Sequence, residues 1–223
     1  MKTVAFLLFD KVEVLDFSGP FDVFSMASIA MRQELFKLIT VSADGKPVEA
    51  IHGLRILPTC SIAECGPGDI DILIIPGGAT DVIDAIEAGK HADLIDWIRA
   101  VSPKTEVTAT ICVGAFFGAV AGLFAERRAT THHAFLDKLA DWTKDQGTTV
   151  VRGSRYVNSG ANGPQIWSSA GVSAGIDLAF RLLKDQSDHA KIPGVPVDQI
   201  GADVALKTQN LMEYNATTNW AAE

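Results

Sequence analysis

Two strand-length segments, 4–9 (Val-Ala-Phe-Leu-Leu-Phe) and 70–75 (Ile-Asp-Ile-Leu-Ile-Ile), are apolar almost throughout, without the polar alternation of a strand that keeps one face wet. Such strands must be covered on both faces, which selects a mostly parallel sheet between helical layers. The rest of the chain fits that demand. Segments 36–41, 106–111 and 166–170 read as further strands, and the stretches between them carry helical periodicity. Ser18-Gly19-Pro20 is expected to open a helix reaching Met31, with Pro20 in its first turn. Segments 81–100, 113–123, 134–146, 173–184 and 197–214 read as helices. Segments 47–51 and 54–58 flank His52-Gly53 as a small hairpin, and 148–152 with 155–158 read as a second one around Gly153-Ser154. The fold class is therefore an α/β, single-domain sandwich. It spans 1–223, with a C-terminal tail from about 215.

Composition narrows the function classes. The 223 residues carry 27 acidic and 19 basic side chains, a net charge of -8. An acidic chain is a poor binder of polyanions, so nucleic acid and anionic membrane surfaces are not expected partners. No apolar run reaches the length of a membrane span. The start, Met1-Lys2-Thr3 followed by 4–9, superficially resembles a secretion signal. Its apolar run is short and lacks a small-residue cleavage site, so it reads as the first strand. The three cysteines, Cys60, Cys65 and Cys112, form an odd set without metal-ligand spacing. They are expected to be thiols of a reducing cytoplasm, with no metal site.

Chemistry concentrates around Cys112. The strand 106–111 runs straight into it, and a helix follows at once past the small residues Gly114 and Ala115. That is the layout of a nucleophile elbow, which lifts one side chain above the carboxyl edge of the sheet. A helix N-terminus behind the sulfur is expected to lower its pKa toward the reactive-thiolate range. A small buried cysteine would give the same local pattern. Pro76-Gly77-Gly78 ends another buried strand, where bare amides can hold a developing negative charge or simply make a turn.

The segments Asp71-x-Leu73-Ile74-Ile75-Pro76-Gly77-Gly78, Ile111-Cys112-Val113-Gly114-Ala115 and Arg128-Ala129-Thr130-Thr131-His132-His133 resemble the ThiJ/PfpI superfamily of cysteine-elbow proteins. The likeness runs from residue 1 to about 185 and implies a flavodoxin-like sandwich. Within it, 15–20 (Leu-Asp-Phe-Ser-Gly-Pro), 169–177 and 209–214 are similar to the isocyanide (isonitrile) hydratase branch. That resemblance implies a lyase using no cofactor, usually a homodimer, which adds water to an isocyanide through a thioimidate on Cys112. It places Asp16 beside the thiol as the acid/base, although an aspartate there could also cap the helix. An adjacent thiolate is expected to raise the pKa of Asp16. Asp177, among apolar neighbours, needs a partner and is a candidate for either a catalytic or an architectural role. Gly77, Gly78, Val113 and His133 are expected around the substrate.

Two positions depart from the branch. Val113 stands where a threonine is common, and His133 where a tryptophan is common. Val113 also stands where protease-like members carry histidine, so a cysteine–histidine hydrolase is disfavoured. Rival readings are a glyoxalase or deglycase acting on methylglyoxal, and a cysteine redox sensor. Regulators of this ancestry append a DNA-binding domain of about a hundred residues, which is not expected here. The helix containing Phe24, Met26 and Ile29 could offer a dimer surface or pack in the core.

Overall fold

A computed structural model describes residues 1–160 and 164–215. In chain order the elements are β1 (Lys2–Leu7), α1 (Val14–Met31), β2 (Phe36–Ser42), β3 (Val48–Glu49), β4 (Arg55–Ile56), β5 (Cys60–Ser61), β6 (Ile72–Ile75), α2 (Asp81–Glu87) and α3 (Ala92–Val101). There follow β7 (Val107–Ile111), α4 (Ala115–Ala121), β8 (Arg128–Ala129), α5 (Leu136–Thr143), β9 (Thr149–Val150), β10 (Tyr156–Asn158), β11 (Gln165–Ser169), α6 (Ala174–Gln186) and α7 (Val197–Leu211). The main sheet has the order β10-β11-β7-β6-β1-β2-β5, parallel except for the β10–β11 pair. Every residue of β6 and β7 is buried, Thr108 and Thr110 of β7 included, as central strands covered on both faces must be. Helices α1, α6 and α7 pack on one another, and α4 joins α2, α3 and α5 in a second group.

Several local expectations are corrected. Helix α1 begins at Val14, not at Ser18, because the Glu13 side chain caps it by accepting the Leu15 N–H. Pro20 therefore lies inside the helix, and Asp16 sits in its first turn instead of in the preceding loop. The stretch 81–100 is two helices, since Gly89 takes a left-handed φ of 74° where Lys90 N–H closes back on the Ala85 carbonyl. The second hairpin does not form: β9 pairs in parallel with β8, and β10 pairs antiparallel with β11. The hairpin β3–β4 is present, with Val48 opposite Ile56. Of the three α1 side chains that could pack in the core or form a dimer surface, Phe24 is fully buried, Met26 half-buried and Ile29 exposed.

Cys60 and Cys65 are joined as a disulfide between the edge strand β5 and the turn that follows, which corrects the reading of two free thiols. The carbonyl of Cys65 also accepts the Trp97 indole N–H at 2.7 Å. Cysteine usage thus gives no support for a reducing compartment. Cys112 is the free cysteine among the described residues. No helix of the described residues is long and apolar enough to cross a membrane.

Candidate active site

The carboxyl end of β7 delivers Cys112 in a left-handed conformation, φ 55°, at the start of a single 3-10 turn that leads into α4. A non-glycine residue there is uncommon and is held only where its surroundings fix it. Two features fix it. The Thr131 hydroxyl donates to the Cys112 carbonyl at 2.7 Å. Gly114 runs so close to the end of β6 that an added Cβ would lie 2.3 Å from the Ile75 carbonyl oxygen. The expected elbow is present, and Gly114 allows the tight return.

Asp16 comes from the first turn of α1 and is fully buried. Its Oδ2 accepts the Gly77 N–H at 2.9 Å, while the Glu13 N–H donates to the Gly77 carbonyl, also at 2.9 Å. Gly77 thus ties the start of α1 to the end of β6. A Cβ on it would sit 2.8 Å from Asp16 Oδ2 and 2.9 Å from Cys112 Cβ. Asp16 Oδ1, equally buried, accepts no oriented hydrogen bond, which leaves an acceptor open inside the site.

Burial, reinforced by the charge of Glu13, raises the Asp16 pKa to about 7, against the pull of the Gly77 and Val172 amides and of the Cys112 thiol. The direction is the expected one, but the cause is not: burial raises the pKa, and the neighbouring thiol lowers it. The thiol goes the opposite way to expectation. Burial first, then the charge of Asp16, push Cys112 up to about 12, and the amides of Val113 and Val172 offset only part of this. At neutral pH the shared proton therefore rests on sulfur, and Asp16 is poised as the base that can remove it.

The remaining candidates are distributed unevenly. The Gly77 amide is taken by Asp16, and Gly78 bridges Val12, its Cα packed against the Lys11 carbonyl. The amides that stabilise negative charge on sulfur belong instead to Val113 and Val172. Val113 contributes through its backbone. Val172 was not singled out by the sequence; it is a β-branched residue at φ 49°. Its sequence signals are its place in the 169–177 segment that carries the resemblance and the Gly171-Val172 pair between a strand and a helix.

His133 is exposed, and its ring lies 4.3 Å from that of His132, centroid to centroid. It is His132 that packs under the turn before α6, where a Cβ on Gly171 would come within 2.1 Å of its ring. Asp177 is fully buried and accepts from Arg155 Nε and, at 2.9 Å, from the Tyr214 hydroxyl. These are the partners its burial demanded, and they lie with β10 and the end of the described chain. Among the described residues no group of three or more His, Cys, Asp or Glu could hold a metal ion.

A model of the DJ-1/PfpI family matches residues 2–185. The chain belongs to the DJ-1/PfpI family. Isonitrile hydratase of Pseudomonas putida is 30% identical to it over 211 residues, 95% of this chain and 78% of that protein. The transcriptional regulator GbdR of Pseudomonas aeruginosa is 23% identical over 95% of this chain and 61% of its own length. Family members thus include both an enzyme and regulators. The fold agrees with that of a ThiJ/PfpI family protein from Pseudomonas syringae, with a TM-score of 0.74 at 23% identity, covering 98% of this chain and 77% of that one. In this DJ-1/PfpI chain the elbow cysteine is therefore paired with an aspartate from α1.

Proposed function

We propose that the chain is an isocyanide hydratase, converting R–N≡C and water to the N-substituted formamide. The observation that carries this reading is the buried Asp16–Cys112 pair holding one transferable proton, with Asp16 Oδ1 open. The terminal carbon of an isocyanide accepts a nucleophile and a proton at the same atom, which is what a base-activated thiol supplies. Asp16 takes the proton from sulfur as the S–C bond forms, then delivers it to that carbon, giving the thioimidate R–N=CH–S–Cys112. Water adds across C=N as Asp16 takes one of its protons and passes it to nitrogen. The resulting R–NH–CH(OH)–S–Cys112 loses its hydroxyl proton to Asp16, the C–S bond breaks, and sulfur regains the proton. The amides of Val113 and Val172 support sulfur when it carries charge.

Similarity to the isonitrile hydratase of Pseudomonas putida supports the same choice. A redox-sensing role fits less well, since oxidation follows thiolate character and this thiol is held protonated. The reading also carries a homodimer, tested by solution mass. The activity itself is tested by following para-nitrophenyl isocyanide to its formamide in the ultraviolet. Turnover supports the hydratase, and turnover of methylglyoxal instead would replace it with a dicarbonyl enzyme.

A further inference from the structure

β11 runs beside β7 with Ser169 level with Ile111, so the turn 170–173 lies next to the elbow, where the Val172 amide acts on both Asp16 and Cys112. The turn is at the surface and carries a β-branched residue at φ 49°. A valine does not hold that conformation unaided. Arg155 brackets the turn from both ends. Its carbonyl accepts the Ala170 N–H at 2.8 Å, one step beyond the β10–β11 ladder, and its guanidinium donates to Ser173 Oγ at 3.4 Å. The same guanidinium is anchored from behind by Asp177, whose other oxygen is held by Tyr214. Tyr214 is in turn stacked on buried Phe180, with ring centroids 5.3 Å apart. On the other side His132 packs against Gly171. Asp177 therefore has a use that touches no reacting atom.

We propose that Arg155, locked by Asp177 and Tyr214, is a positioning residue that holds the 170–173 turn so that the Val172 N–H stays directed at Cys112 and Asp16. The inference rests on the reading that this pair does the chemistry. If the clamp is released, the pull of the Val172 amide on the carboxylate and on the sulfur weakens. Hydrogen bonding to a charged form lowers a carboxyl pKa, so its loss raises it. The groups that act on Asp16 are Glu13 at its own helix cap, Cys112 on the elbow, and the amides of Gly77 and Val172. Burial and His133 hold His132 below its ordinary pKa, so it stays neutral where Asp16 titrates.

The test is the pH profile of Cys112 alkylation by iodoacetamide, read by intact mass, for the wild type, Arg155→Met, Arg155→Lys and Tyr214→Phe. This readout needs no isocyanide turnover. In Arg155→Met the inflection near pH 7 moves to higher pH and the plateau rate falls several-fold. Arg155→Lys recovers part of the shift, and Tyr214→Phe shows a smaller one in the same direction. Unchanged profiles in folded variants, with only the melting temperature lowered, would overturn the proposal. If Arg155→Met does not fold, an unchanged Tyr214→Phe profile would overturn it. Alkylation shifts without any wild-type isocyanide turnover would leave the clamp standing and remove the hydratase reading.

Discussion

Asp16 and Cys112, 96 positions apart in sequence, flank the Cα of a single glycine. A methyl group on Gly77 would lie 2.8 Å from Asp16 Oδ2 and 2.9 Å from Cys112 Cβ. The carboxyl group and the thiol are thus placed by the meeting of three chain segments, α1, the end of β6 and the elbow after β7. Each is set by backbone geometry more than by side-chain choice.

Gly77→Ala is expected to push these segments apart. The added carbon would also meet the Val113 amide nitrogen at 2.8 Å, and none of these neighbours is the free end of a flexible side chain. A displacement of around 1 Å at a reacting pair costs on the order of a hundredfold in rate. Steady-state kcat/KM should fall by about that factor while circular dichroism still shows a folded chain.

Asp16→Asn should lose about 10²–10⁴ in kcat/KM, because an amide cannot take the thiol proton. The same change should stabilise the fold at pH 8. Asp16 has a pKa raised from 3.8 to about 7 in the folded chain, so the native state binds its proton more tightly than the unfolded one. The cost is largest above pH 7, on the order of 4 kcal/mol, and disappears as pH falls below 4. Thermal melts at pH 8 and pH 4 check this: the variant should gain at pH 8 and show little difference at pH 4.

The pH profile follows from the same pair. The working form has Asp16 ionised and Cys112 protonated, so kcat/KM should climb through an inflection near pH 7 and stay level through mildly alkaline pH. A profile flat from pH 5 to 9 would remove Asp16 from the role of base.

Much of this was legible in the sequence, and the exceptions have physical causes. Continuous apolar strands announced the buried parallel sheet, and the strand–Cys–small-residue pattern announced the elbow. The start of α1 was misplaced because Ser18-Gly19-Pro20 is a stronger local start signal than the Glu13 cap that in fact sets it. The direction of the Cys112 shift was misjudged because local sequence displays the helix N-terminus but not the depth of burial or the charge arriving from α1. Val172 and Arg155 were missed because what they contribute, an amide and a brace, depends on where the turn before α6 lies. Asp177 was noticed for the company it keeps, and its partners came from the residue just before β10 and from beyond α7.

The Cys60–Cys65 disulfide lies in a different part of the sheet edge from the site. Cys60→Ser should leave isocyanide turnover within about twofold of wild type. It should lower stability by about 2 kcal/mol, the loop-closure entropy of a ring this small. Denaturant melts of the variant and of the reduced wild type should coincide.

The most direct measurement is turnover of para-nitrophenyl isocyanide by freshly reduced wild-type protein beside Cys112→Ala, with intact mass taken on rapidly quenched wild type. The account predicts formamide production that vanishes in the variant, and a transient adduct on wild type equal to the mass of the added isocyanide. Formamide formed at a comparable rate by Cys112→Ala would contradict covalent catalysis by the elbow cysteine.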